Sequence, residues 1–224
     1  MGRGRRRNIT QDDELLRTER ELRAEGFHFI AGVDEAGRGP LAGPVVAAAV
    51  ILPDDLPELP GVFDSKQLTD AERRLLRDEL LALPGIVYAV AESDNTVIDE
   101  INILNATHRA MRQAVLALGK PADFVLVDGL PVRGFSVPCR NLVKGDARSA
   151  SIAAASILAK VHRDELMEQF ETVYPGYGFA DHKGYGTAEH LDALKRLGPS
   201  PIHRKSFRPV HDLISPPPEQ PGLF

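Results

Sequence analysis

The chain has 224 residues, 43% of them hydrophobic, and 27 Lys and Arg against 32 Asp and Glu leave a net charge of −5. That length suits one core, hence one domain with appendages. No run of about eighteen apolar residues is present to span a membrane, and the negative balance is not that of a protein coating nucleic acid by bulk charge. The single cysteine, Cys139, permits no internal disulfide, excludes a cysteine-based zinc site and fits the reducing cytoplasm, where the protein is expected. Arg3, Arg5, Arg6 and Arg7 open a stretch without apolar pattern, so residues 1–10 read as disordered and not as a secretory signal. Residues 12–25 fit a short helix stopped by Gly26. A buried strand follows, ending at Asp34, and residues 45–52 form its neighbour across a Gly-Pro turn, as a hairpin partner. Residues 53–64 read as a loop. Thr69 and Glu72 make a capping box for a helix over 70–83. A third strand at 86–92, a helix in two pieces over 96–119, a fourth strand at 124–127 and a fifth at 137–143 come next. An alanine-rich helix over 148–173 and another over 187–197 complete the pattern. Strands interleaved with helices predict an α/β domain with a mixed sheet. After 214 the chain turns proline-rich and should be an open tail.

Residues 31–44, Ala-Gly-Val-Asp-Glu-Ala-Gly-Arg-Gly-Pro-Leu-Ala-Gly-Pro, are the most informative stretch. Two adjacent carboxylates, Asp34 and Glu35, end an apolar strand, and a Gly-Arg-Gly turn follows. Two such charges at a sheet edge repel each other and lose hydration. Arg38 is the only local compensation, and a hard divalent cation would bind their oxygens. Gly37 and Gly39, lacking a Cβ, let the backbone approach a ligand. A metal-dependent nuclease gathers carboxylates at its centre and can hold its basic residues on one face, so the net charge does not exclude one.

Asp128 repeats the pattern of an apolar strand, an acid and then a glycine, Gly129. Lys144-Gly145-Asp146 adds a third acidic position before the long helix, whose N-terminal dipole favours an anion. In open α/β sheets ligands gather beyond the carboxyl ends of the strands. Acids from three segments are the layout of a two-metal phosphodiester site. Each acid also has a structural reading: Asp128 could cap the next segment, and Asp146 could be a plain N-cap.

These residues resemble those of the bacterial ribonuclease HII family, the type 2 ribonucleases H. The resemblance rests on Asp34-Glu35-Ala36-Gly37-Arg38-Gly39-Pro40, Asp64-Ser65-Lys66, Val127-Asp128-Gly129, Lys144-Gly145-Asp146 and Ser151 through Val161. Tyr174-Pro175, Tyr177-Gly178-Phe179, His182 through Thr187, His203-Arg204 and Ser206-Phe207 extend it, and it covers roughly residues 28–212. It implies an RNase H-like mixed sheet flanked by helices with a C-terminal helical portion. It also implies endonucleolytic cleavage of RNA in RNA–DNA hybrids and of duplex DNA containing ribonucleotides. By that similarity Asp34, Glu35, Asp128 and Asp146 are the catalytic, metal-binding carboxylates, with Mg²⁺ or Mn²⁺ as cofactor. Gly37, Arg38 and Gly39, together with Tyr185, resemble the element that reads the 2′-hydroxyl. That group separates RNA from DNA locally and lies in the minor groove.

Lys66 and Lys183, in polar loops, are expected to contact phosphate. Tyr185 has the alternative reading of a core-edge tyrosine, which its Lys-Gly-Tyr-Gly setting disfavours. Asp164 is expected in a structural ion pair, and His182 is expected to satisfy a backbone group. The expected mechanism is in-line attack by metal-activated water, leaving a 5′-phosphate and a 3′-hydroxyl, with activity falling as protons compete for the acids. Gln220, Leu223 and Phe224, after a proline run, resemble the Gln-x-x-Leu-Phe peptides that dock on the replication sliding clamp. The expected division is an N-terminal extension over 1–26, a catalytic domain over 27–213 and a tail over 214–224, in a monomer. A magnesium phosphatase with an aspartate nucleophile would want a second acid two residues after the first, where Ala36 stands. A clamp-associated module that binds hybrids without cutting would be expected to have lost one of the four acids.

Overall fold

A computed structural model describes residues 14–54 and 68–216. The expectations for residues 1–10, for the loop at 53–64 beyond residue 54, for Lys66 and for the clamp-like end lie outside the described residues. Helix α1 (Arg17–Ala24) is followed by Gly26 at φ +100°, a conformation that glycine adopts without a Cβ penalty. Strand β1 (Ile30–Ala36) continues two residues past Asp34, so both acids are strand residues and Gly37, at φ +91°, is the turn. Strand β2 (Val45–Ile51) is buried along its whole length. Helix α2 (Asp70–Leu81) starts at the expected capping box, with Thr69 and Glu72 bonded reciprocally. Strand β3 (Val87–Ser93) precedes helix α3 (Asn95–Leu116).

Helix α3 is in two pieces, as its sequence suggests. The break is at Asn102, at φ 66° and ψ 164°, a residue whose short polar side chain tolerates positive φ. Its Oδ1 accepts from the Asn105 N–H at 3.1 Å and so caps the second piece. Strands β4 (Phe124–Asp128) and β5 (Cys139–Leu142) complete a mixed five-stranded sheet of order β3-β2-β1-β4-β5. β1 and β4 run parallel, pairing Ile30 with Phe124 through Val33 with Val127. One further step along that register sets Asp34 beside Asp128. β4 and β5 are also parallel and pair Asp128 with Leu142.

Helix α4 (Ala150–Val173) lies against β1 at Gly32, where a Cβ would come within 2.3 Å of the Ile152 nitrogen. Close backbone approach is therefore what glycine supplies at that position. The short helix α5 (Phe179–His182), helix α6 (Ala188–Leu197) and helix α7 (Arg208–Ile214) form the helical C-terminal portion. Neither α5, a single turn, nor α7, which begins around Pro209, has the periodicity that marks a helix in sequence.

The chain divides into two compact units. The first holds the described residues of Met1–Glu35, Ala47–Ala91 and Met111–Val161; the second holds those of Ala36–Val46, Glu92–Ala110 and His162–Phe224. The first unit's core includes Leu22, Ile30, Phe124, Leu126, Leu142 and Ile152. In the second, Met167, Tyr177, Phe179, Ala193 and Ile202 pack together.

Candidate active site

All four candidate carboxylates belong to the first unit. Asp34 and Glu35 come from the end of β1, Asp128 from the end of β4, and Asp146 from a one-turn 3₁₀ helix, Gly145–Ala147. Asp34 is only 6% exposed. Its Oδ1 accepts from the Glu35 N–H at 2.7 Å, and the Ser156 hydroxyl of α4 bonds to it as well. Burial, followed by the negative charges of Glu35 and Asp128, pushes its carboxyl well above the usual carboxylate range. Asp128 Oδ1 accepts from the Gly145 N–H at 2.5 Å, which ties the end of β4 to the turn carrying Asp146. Gly145 is tightly enclosed: a Cβ there would lie 2.7 Å from Ile152 Cδ1 and 3.1 Å from Asp128 Oδ1.

Among the described residues, no three carboxylate, imidazole or thiol groups close around one point as a finished set of metal ligands. Asp34 and Asp128 each turn an oxygen to a backbone N–H. The donor chemistry nevertheless fits a divalent ion. The four groups are hard oxygen donors, and Asp34 carries the mutual repulsion that a cation would relieve.

Glu19, on α1, was not marked by the sequence. Its Oε1 accepts from the hydroxyls of Ser149 and Ser151 at 2.6 and 2.7 Å and from the Ser151 N–H at 3.0 Å. It thus anchors the start of α4, four residues beyond Asp146.

The second unit holds the turns at Gly37-Arg38-Gly39 and Lys183-Gly184-Tyr185. The Leu41 N–H, two residues past the first turn, donates to the Gly184 carbonyl of the second at 2.8 Å. A Cβ on Gly39 would sit 3.5 Å from Tyr185 Cε1, so the two candidate substrate-reading residues are neighbours. Tyr185 is 47% exposed and is not a core tyrosine. Lys183 differs from expectation. It is 7% exposed, and its ammonium donates to Glu168 Oε1 at 2.8 Å and to the Ala180 carbonyl at 2.5 Å. The ammonium is thereby engaged in holding the turn and not turned outward to a phosphate.

Two buried arginines that sequence reasoning gave no role stand behind these turns. Arg204 donates to the carbonyls of Gly43, Arg38 and Gly37 at 3.0, 2.9 and 2.6 Å. Arg163 donates to those of Pro44, Lys183 and Ala42 at 3.1, 3.0 and 3.2 Å. Burial, reinforced by Arg163, lowers the Arg204 guanidinium to about 9, so it stays charged at neutral pH. Burial lowers Arg163 also, while nearby Tyr185 and Asp164 support its charge.

Three histidines complete this unit's interior. His182 bonds the backbone as expected: its Nε2 faces the Tyr177 carbonyl at 2.8 Å, and its Nδ1 accepts from the Gly184 N–H at 3.2 Å. It stacks on His190 with ring centroids 4.4 Å apart. His203 Nδ1 accepts from the Ser200 N–H at 2.9 Å, so its proton is on Nε2, aimed at His190 Nε2 3.0 Å away. His190 must then carry its proton on Nδ1, which donates to the Tyr185 carbonyl at 2.9 Å. Burial and the neighbouring imidazoles push His203 down to about 4, and burial lowers His190 as well.

The Ribonuclease HII family model matches residues 31–210. The ribonuclease HII of Geotalea uraniireducens (strain Rf4) is 55% identical over 200 residues, 89% of this chain and 92% of that protein. The crystal structure of the ribonuclease H2 from Pyrococcus horikoshii OT3 is similar at a TM-score of 0.70 and 28% identity, covering 83% of this chain and 97% of that one. An Archaeoglobus fulgidus structure, described as a PCNA:RNase HII complex, matches at a TM-score of 0.67 and 26% identity, covering 79% and 92%. With its mixed sheet and its strand-end acids, the chain belongs to the ribonuclease HII family, ribonuclease H hydrolases that act on RNA in hybrids.

Proposed function

We propose that this chain hydrolyses the RNA strand of RNA–DNA hybrids and incises duplex DNA 5′ to embedded ribonucleotides, leaving a 5′-phosphate and a 3′-hydroxyl. The observation that supports this reading most is the electrostatic convergence of Glu35 and Asp128 on buried Asp34, with Asp128 bonded to the turn of Asp146. Asp34, Glu35, Asp128 and Asp146 are the residues to hold Mg²⁺ or Mn²⁺. When bound, a pair of such ions supplies Lewis acidity to the attacking water and the leaving oxygen. The protein's part is positioning. The Glu35 N–H and Ser156 orient Asp34, and the Gly145 N–H orients Asp128.

The turn Gly37-Arg38-Gly39 and the ring of Tyr185 are the elements to read the 2′-hydroxyl and the adjoining sugar. Lys66 is a proposed phosphate contact, and Lys183 acts on the turn that carries Tyr185. The test is a duplex with one embedded ribonucleotide, incubated with and without Mg²⁺. Metal-dependent nicking on its 5′ side is expected, lost in Asp34→Asn and Asp128→Asn with the fold retained. Full activity in either variant would refute the assignment, and retention of the duplex without nicking would point to a binding module.

The family member described in complex with PCNA supports a clamp partner for this chain too, through Gln220, Leu223 and Phe224. A pull-down on the sliding clamp should lose binding when residues 220–224 are deleted, and unchanged binding would remove the idea.

A further inference from the structure

We propose that Arg163 and Arg204 are positioning residues for 2′-hydroxyl discrimination, an inference resting on the reading of the two turns above. A turn outside regular structure leaves its carbonyls without ladder partners, and each buried one needs a donor. Here two guanidiniums meet that need from inside. Arg204 takes the carbonyls of residues 37, 38 and 43, while Arg163 takes those of residues 42 and 44 together with the carbonyl of Lys183. Arg163 therefore links residues 42–44, just past the glycine turn, to the turn that presents Tyr185, while Arg204 holds the glycine turn itself.

Both side chains are at most 1% exposed. Arg163 occupies the space that any side chain on Gly37 would need, since a Cβ there would fall 1.9 Å from its Nε. A guanidinium is a planar fork whose donors have fixed directions, whereas an ammonium is a point donor on a flexible stem. Lysine at either position keeps the charge and most of the length but not the geometry. The proposal is that the fork gives both turns one shape before substrate arrives, so less binding energy is lost in ordering them.

The experiment compares the wild type with Arg163→Lys and Arg204→Lys. It reads KM and kcat on the embedded-ribonucleotide duplex, and Ki for the same duplex made entirely of DNA. The expected result is a KM raised about tenfold, equivalent to about 1.4 kcal/mol, with Ki and saturating kcat little changed, so that Ki/KM falls. A merely structural role would lower the melting temperature and the active fraction while leaving Ki/KM alone. That outcome in both variants, or loss of fold in both, overturns the proposal. Tyr185→Ala is the companion arm. If it also leaves Ki/KM unchanged, the reading of the turns fails; if it alone lowers Ki/KM, only the role of the arginines fails.

Discussion

Gly37 and Gly39 stand on either side of Arg38, yet their missing side chains answer to different neighbours. A Cβ on Gly37 would collide with Arg163, and its φ of +91° disfavours any other residue. A Cβ on Gly39 would meet only Tyr185, at an ordinary 3.5 Å, and its φ is not positive. Gly37→Ala should therefore lose stability by at least about 1–3 kcal/mol from the backbone alone, seen as a lower melting temperature. Gly39→Ala should keep or slightly raise that temperature, by up to about 1 kcal/mol of stability, while raising KM on ribonucleotide-containing duplex. A Gly39→Ala enzyme with unchanged KM would remove the close approach of this turn to substrate. From the sequence, both glycines have one reason, contact with a ligand. The sequence could not show the second, because Arg163 reaches Gly37 only through the fold. Lys183 illustrates the same limit: its partner Glu168 is fifteen residues earlier, with no local pattern linking them.

At the scale of elements, local chemistry was legible and long-range anchoring was not. The capping box of α2 and the break in α3 follow from partners three residues apart, Thr69 with Glu72 and the Asn102 side chain with the Asn105 N–H. The tie between α1 and α4 does not, because Glu19 meets Ser149 across 130 positions. The family match begins at residue 31, beyond α1, yet α1 contributes Leu22 to the core and Glu19 to the start of the helix after Asp146. Glu19→Ala should cost about 1–3 kcal/mol, because it removes the acceptor of three buried donors. Thermal melting is the measure, and an unchanged melting temperature would show that the two serines satisfy each other.

At the scale of the whole chain, the α/β class and mixed sheet could be read from alternating strands and helices, and the strand-end placing of Asp34, Glu35 and Asp128 from acids that close apolar runs. The strand order could not, since nothing local says that β4 pairs with β1. The two units also differ in how they respond to protons. Asp34 has a folded pKa above its unfolded one, so its contribution to stability is present at low pH and lost as pH rises through the folded value. Without metal, Asp34→Asn should thus be more stable than wild type near neutrality, about 2–4 °C in melting temperature per kcal/mol regained, while inactive. A variant no more stable than wild type in EDTA would count against that repulsion. His203 has the opposite sign: its folded value of about 4 lies below the ordinary histidine value of 6.5, so its contribution is complete above the latter and fades as pH falls toward the former. In that window the penalty grows by about 1.4 kcal/mol per pH unit. The relay of imidazoles from Ser200 to the Tyr185 carbonyl thereby makes mild acid a selective solvent. Hydrogen exchange between pH 7 and 5 should loosen amides around Phe179 and His190 while those of Val33 and Val127 hold or tighten, so one titration addresses each unit by its own sign.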